Sequence, residues 1–318
     1  MGYGGYSLDA HTSLTKTRTA LPTQAVFKQR ECHPLMNPKG VKLRESRDSV
    51  EHPESLGVVF ALDVTGSMGK IPDLLARRDL PLFMQGLQDL GVKSPQLLFL
   101  AIGDAYADRA PLQVGQFEST AELMDQWLTW SWLEGGGGKL GQESYELALY
   151  FCARHVDMDC FRKRGKRGYL FLTGDEDPYT LLSRHVVEQV MGDELDEDLP
   201  LRVIVDEVQR HFEPFFLIPD LERRQRCERS WRDQLGDRVI ALESPDDVCR
   251  AAAALVALTE GAVEDLPALL RRYESSGVPR ERIGALYRAL LPFATSLEKD
   301  GAPMPELDTD AKVPEGNG

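Results

Sequence analysis

Apolar positions in this chain fall into short unbroken runs set between longer stretches of helical period. Gly57-Val58-Val59-Phe60-Ala61-Leu62 is such a run, the pattern of a strand buried on both faces. Gln96-Leu97-Leu98-Phe99-Leu100-Ala101-Ile102, Tyr169-Leu170-Phe171-Leu172, Phe215-Phe216-Leu217-Ile218 and Arg238-Val239-Ile240-Ala241-Leu242 repeat it, and Pro111 to Phe117 reads as a short edge strand. Between the runs lie helix-compatible stretches from about Ile71 to Leu90, Thr120 to Leu133, Gln142 to Val156, 179 to 191, 201 to 211 and 221 to 235. An alanine-rich helix from Asp246 to Leu258 follows, with Ser244 or Asp246 as its cap. Gly91 is placed to end the first helix. Leu123, Trp127 and Trp130 recur at helical spacing; Trp127 and Trp130 are expected in the core, with Trp132 at the surface.

Short buried strands alternating with longer helices specify parallel βαβ units, and six of them make an open, doubly wound, Rossmann-like α/β sheet with helices on both faces. The runs set the organisation of the chain. Residues 1–55 are polar, broken by prolines and without sustained period, and read as an irregular arm. Residues 56–260 hold the α/β domain, 261–299 a helical pair parted around Ser275-Ser276-Gly277-Val278-Pro279, and 300–318 a Pro-, Gly- and acid-rich tail expected to be disordered.

Composition narrows the function more than the fold. A formal charge of −14 over 318 residues argues against general nucleic-acid or anionic-membrane binding. No run reaches the roughly 18 apolar residues needed to span a bilayer. Met1 to Tyr6 lacks the basic stretch and apolar core of a secretion signal, so a cytoplasmic protein is expected. The five cysteines form no Cys-x-x-Cys pair and are odd in number, which fits reduced thiols better than a disulfide framework or a zinc ribbon. The basic cluster Arg162-Lys163-Arg164-Gly165-Lys166-Arg167 reads as a solvated loop before a strand.

Ligands of open α/β sheets bind outside the carboxyl ends of the parallel strands. The first strand delivers Asp63-Val64-Thr65-Gly66-Ser67-Met68-Gly69 to that edge, the second Gly103-Asp104 with Asp108 close behind, and the third Thr173-Gly174-Asp175-Glu176-Asp177. The Gly135–Gly138 run leads to Gln142-Glu143-Ser144. Carboxylates and hydroxyls thus converge without histidine or cysteine, a donor set for a hard cation, magnesium above all.

A buried strand ending in Asp63-Val64-Thr65-Gly66-Ser67-Met68 and entering a helix resembles the metal-ion-dependent adhesion site of von Willebrand factor A domains, whose first loop reads Asp-x-Ser-x-Ser. The resemblance covers about residues 57–260. It implies strand order 3-2-1-4-5-6 with one antiparallel edge strand, and a bound Mg2+ or another divalent cation such as Ca2+ or Mn2+. It implies that Asp63 binds through an outer water, that Thr65 and Ser67 place hydroxyls on or near the ion, and that a protein partner supplies a carboxylate or other oxygen. It further implies a non-enzymatic interaction module, by analogy associated with a larger, ATPase-driven (AAA+) complex.

Two positions depart from the family pattern. The second loop should place a Thr after its glycines, and here Glu143 and Ser144 are the nearest oxygen donors. The third loop should read Thr-Asp-Gly, and here Asp175 follows Gly174, one residue late. Glu143 is therefore expected to act as an internal ligand or as an acceptor behind the ligands, tuning partner affinity. The alternative is a magnesium-dependent phosphatase resembling the haloacid dehalogenases, with Asp63 as nucleophile and Asp175 and Asp177 holding the metal. That family carries a second acid two positions after the nucleophile, where this chain has Thr65.

Overall fold

The computed structural model describes residues 4–66, 68, 70–136 and 141–301. Its centre is a six-stranded sheet built from β1 (Leu56–Asp63), β2 (Pro95–Ile102), β3 (Leu112–Val114), β4 (Gly168–Thr173), β5 (Phe212–Ile218) and β6 (Val239–Ala241). The spatial order is β3-β2-β1-β4-β5-β6, with only β3 antiparallel to its neighbour. The fold is therefore mixed α/β with a doubly wound, mostly parallel sheet, in the strand order the resemblance implies. Every residue of β1, β2 and β4 is buried, as expected of strands covered on both faces.

The described helices of seven residues or more are α1 (Leu8–Lys16), α2 (Lys70–Asp89), α3 (Ala121–Thr129), α4 (Tyr145–Arg154), α5 (Arg184–Val190), α6 (Leu201–Val208), α7 (Leu221–Leu235), α8 (Val248–Thr259), α9 (Leu266–Ser275) and α10 (Arg280–Gly301). α2 is interrupted by a π turn at Leu75–Asp79. Pro81 has no N–H to offer an earlier carbonyl, and Leu80 instead donates back to Leu75, widening the turn.

In-register pairing lines up Phe99, Phe60, Phe171 and Phe215 across β2, β1, β4 and β5, with ring centroids 5.4–6.2 Å apart. Phe83 of α2 and Phe293 of α10 close this face edge-on at 4.9 and 5.0 Å. The C-terminal helical pair thus shares the core of the sheet, with Leu286, Leu290 and Phe293 buried in the same cluster. On the opposite face Tyr145, Phe216 and Trp231 form a second aromatic group beneath α4 and α7. No described helix is long and apolar enough to cross a membrane.

Several expectations change on contact with the structure. The arm is not wholly irregular: α1 packs on the domain, and Arg18 reaches Asp125 through both ends of its guanidinium. Arg44–Ser46 adds a short parallel pairing with Val156–Met158. These anchors are polar, so a search for apolar period passes over them. The basic cluster is partly a helix, Asp159–Arg164, whose Lys163 and Arg164 pair with Asp48. Gln142–Glu143 is extended and pairs with Asp177–Pro178, so the helix predicted from Gln142 begins at Tyr145. The tryptophans are reversed: Trp132 is buried, its backbone bonded to the Gln113 amide, while Trp127 and Trp130 are half-buried. All five cysteines are free thiols, four of them buried. The expected tail lies almost wholly outside the described residues, as do Ser67 and Gly137–Leu140.

Candidate functional site

β1 ends at Asp63 on the face covered by α4, and the chain turns there because Asp63 caps its own loop. Its Oδ1 accepts from the Thr65 backbone N–H at 2.9 Å and from the Thr65 hydroxyl at 2.5 Å. Its Oδ2 accepts from the Tyr145 hydroxyl at 2.7 Å. Asp63 is fully buried, and among the described residues no cationic side chain contacts it. Burial pushes its carboxyl up to about 6 against the pull of these hydroxyl and amide donors, and nearby Asp175 pushes the same way.

The third-loop carboxylate is held differently. Asp175, also fully buried, accepts on Oδ2 from Arg223 Nε at 3.0 Å and Arg226 Nη1 at 3.2 Å. Both arginines sit in the first two turns of α7, one turn apart, and Asp220 caps that helix through the Arg223 N–H at 3.1 Å. Further along α7, Ser230 bonds Asp177 and the Trp231 indole N–H donates to the Glu176 carbonyl at 3.1 Å. The whole helix is thus fastened to the loop that follows β4.

Tyr145 links these two loops, and explains the displaced aspartate. A Cβ on Gly174 would lie 2.0 Å from the Tyr145 hydroxyl oxygen. Only glycine fits where the tyrosine passes, so the carboxylate of this loop comes one residue later, at Asp175.

The remaining acids lie toward β2. Asp104 accepts on Oδ1 from the Tyr106 backbone N–H at 3.0 Å and the Tyr179 hydroxyl at 3.1 Å. Asp108 accepts from the Asp104 N–H at 2.8 Å and lies so close to Gly136 that a Cβ there would be 1.8 Å from its Oδ1. Gly136 therefore sits in a close-packed crossing, and Gly66 donates to its carbonyl at 3.0 Å. Ser144 accepts from the Ala105 N–H at 2.9 Å. Glu143 is buried near Tyr179, on the Asp104 side of the edge. Glu146, in the first turn of α4, is buried too, and burial with Asp104 nearby holds its carboxyl well above the usual range.

The edge brings together Asp63, Thr65 and Asp175 through Tyr145, sets Glu143 and Asp104 near Tyr179, and leaves Ser67 outside the described residues. Tyr145, Glu146, Tyr179, Arg223 and Arg226 were not singled out by sequence. A signal for the arginines existed: β5 also ends at this edge, so the first turn of α7 had to face it.

The donor set can be tested against a divalent cation. Oxygen donors alone suit a hard ion, and a buried carboxylate with only neutral donors beside a second carboxylate is short of positive charge. In kind, the residues fit. The ligands are not gathered in advance, however: among the described residues no three acidic, histidine or cysteine side chains converge as an ion cage, and Asp175 is engaged by arginines.

Fold and edge together define a doubly wound α/β domain with an acidic, hydroxyl-bearing site at the carboxyl ends of its strands. No family model and no curated protein matches the sequence. Solved structures similar to it include the pilus adhesin SpaC from Lactobacillus rhamnosus GG in an open conformation, at 11% identity and TM-score 0.44 over 67% of this chain and 31% of that one. A von Willebrand factor type A protein from Catenulispora acidiphila matches at 14% identity and TM-score 0.40, over 64% and 42%. Proximal thread matrix protein 1 from the mussel byssus, with a zinc-occupied MIDAS motif, matches at 9% identity and TM-score 0.38, over 67% and 48%. The chain spans less than half the length of each of these three.

Proposed function

We propose that this protein is an interaction module that binds a divalent cation at the Asp63 edge and uses it to engage a protein partner. Asp63, Thr65, Ser67, Glu143 and Asp175 are the residues assigned to the ion, with magnesium first and calcium or manganese as alternatives. The observation that carries the reading is Asp63 itself: a fully buried carboxylate with neutral donors only, and a second carboxylate near enough to raise its pKa. A bound cation would supply the missing positive charge and offer an open position to an oxygen ligand of the partner. Thr65 and Tyr145 orient Asp63, and the close crossing of Gly66 and Gly136 keeps the first loop in place.

Calorimetric titration with Mg2+, paired with affinity purification in Mg2+ and in EDTA, tests this on wild type and Asp63→Ala. Heat of binding and cation-dependent partners are expected for wild type only. Identical partners in every condition would sink the cation-grip mechanism. A place in an ATPase-linked complex extends the same reading, and nucleotide hydrolysis co-purifying with wild type but not with Asp63→Ala is its test. Glu143→Thr examines the internal-ligand role; unchanged ion and partner affinity would remove Glu143 from the site.

The phosphatase alternative loses support from the same geometry. Thr65 stands where that family carries its second acid, and its hydroxyl donates to Asp63 Oδ1 at 2.5 Å, which leaves no acid there to protonate a leaving group. Turnover of p-nitrophenyl phosphate that vanished in Asp63→Asn would reinstate it.

A further inference from the structure

Two arginines hold a carboxylate that the cation-binding reading assigns to the ion. Asp175 is fully buried, and the guanidinium groups of Arg223 and Arg226 converge on one of its oxygens at 3.0 and 3.2 Å. Neither arginine is sealed in: the Arg223 side chain is 27% exposed and that of Arg226 is 55% exposed. Each also has a second acid within reach, Asp220 for Arg223 and Glu176 for Arg226, the latter at 3.7 Å. Their departure from Asp175 would not undock α7, because Ser230 with Asp177 and Trp231 with the Glu176 carbonyl fasten that helix independently. A side-chain turn is enough.

A divalent ion brought to Asp175 meets two positive charges already at that oxygen. Charges of one sign at hydrogen-bonding range in a partly buried site repel strongly. Cation and guanidinium groups therefore compete for Asp175, and arginines displaced at the mouth of the site become planar donors for another carboxylate. We infer that Arg223 and Arg226 are the built-in counter-ion of this site, holding Asp175 when no cation is bound and turning to an acidic side chain of the partner when one is. The inference rests on the cation-binding reading above. It makes the arginines specificity-determining: they set the ion affinity and select an acidic partner segment in the loaded state.

The test uses the full chain, Mn2+ as the ion, and two probes, acetyl-Gly-Glu-Gly-amide and its Gln counterpart. Arg223→Gln combined with Arg226→Gln should bind Mn2+ about tenfold more tightly than wild type in calorimetry, since the competing charge is gone. With Mn2+ present, the Glu peptide should bind wild type and lose about fivefold or more in the double variant, while the Gln peptide binds neither. Because Arg226 is more than half exposed, Arg226→Gln alone preserves the fold if the double variant does not, and a smaller tightening of about threefold is expected of it. Unchanged or weaker Mn2+ affinity in the folded variants overturns the inference, as does a Glu peptide that binds all forms alike. If wild type itself takes up no Mn2+, the cation-binding reading has failed, and the inference fails with it; the wild-type titration alone separates that case.

Discussion

Two aspartates at the same sheet edge are equally buried and oppositely served. Asp63, at the end of β1, is solvated by neutral donors: an amide, a threonine hydroxyl and a tyrosine hydroxyl. Asp175, two residues past β4, is gripped by two guanidinium groups. The first carries its negative charge at a penalty that burial imposes; the second has its charge balanced inside the protein. A site that must accept a cation needs a carboxylate of the first kind. A loop that must stay in place without one needs the second. The difference can be broken experimentally, because the two residues should respond with opposite signs to the same isosteric change.

The largest effect is expected at Asp175. Asp175→Asn leaves two arginines facing a neutral amide, and removing one partner of a buried ion pair typically destabilises by about 3–5 kcal/mol. Arg226 is more than half exposed and keeps Glu176 nearby, so solvent takes up part of that loss. We expect about 2–3 kcal/mol in urea unfolding with EDTA present. A change within about 0.5 kcal/mol of wild type would mean that the arginine grip contributes nothing to the fold.

Asp63→Asn should act in the other direction. A carboxyl raised from its ordinary value to about 6 is more readily protonated in the folded state than in the unfolded chain. Its contribution is fully favourable below about pH 4 and is lost as pH rises through about 6. Above pH 6, without cation, wild type carries an unfavourable buried charge that asparagine lacks. The variant should therefore be more stable than wild type by about 2 kcal/mol at pH 7, with the gain fading toward pH 4. Saturating Mg2+ should stabilise wild type and leave the variant where it was. A variant less stable than wild type at pH 7 in EDTA would contradict the charge-penalty account.

The contrast also separates what was legible in the sequence from what was not. Strands such as Gly57–Leu62 and Gln96–Ile102 advertise themselves because both faces are buried, and α7 was bounded at 221 and 235 by its charged pattern. That Asp63, Asp104 and Asp175 lie along one edge followed from topology, since every parallel strand delivers its carboxyl end there. Which partner each carboxylate would find did not follow. Arg223 and Arg226 lie 48 and 51 residues beyond Asp175, and pairing at that distance leaves no local period. Tyr145 was not singled out because its ring packs in the core on Phe216 and Trp231, and only its hydroxyl belongs to the site. The arm escaped for a related reason: Arg18 with Asp125, and Arg47 with Asp157 and Asp159, anchor it by charge, and its buried apolar residues, Val26, Phe27 and Met36, are too scattered to set a period.

The smallest effect, and the most selective, is expected at Tyr145. Tyr145→Phe keeps the ring against Phe216 and Trp231 and removes only the donor at 2.7 Å from Asp63 Oδ2. A hydrogen bond to a charged acceptor contributes about 1.5–3 kcal/mol, and one to a neutral acceptor about 1. The loss should therefore depend on whether Asp63 is ionised: about 2 kcal/mol above pH 7 and less than about 1 kcal/mol below pH 5, with the Asp63 pKa rising beyond about 6 in an NMR titration. Read in an Asp63→Asn background, the same substitution should shrink toward the neutral value at every pH, because the charge it served is absent. That double-mutant cycle isolates the pairing from the packing of the ring. A loss that is the same at pH 5 and pH 8, or undiminished in the asparagine background, would assign Tyr145 to the core alone and leave Asp63 oriented by Thr65 without it.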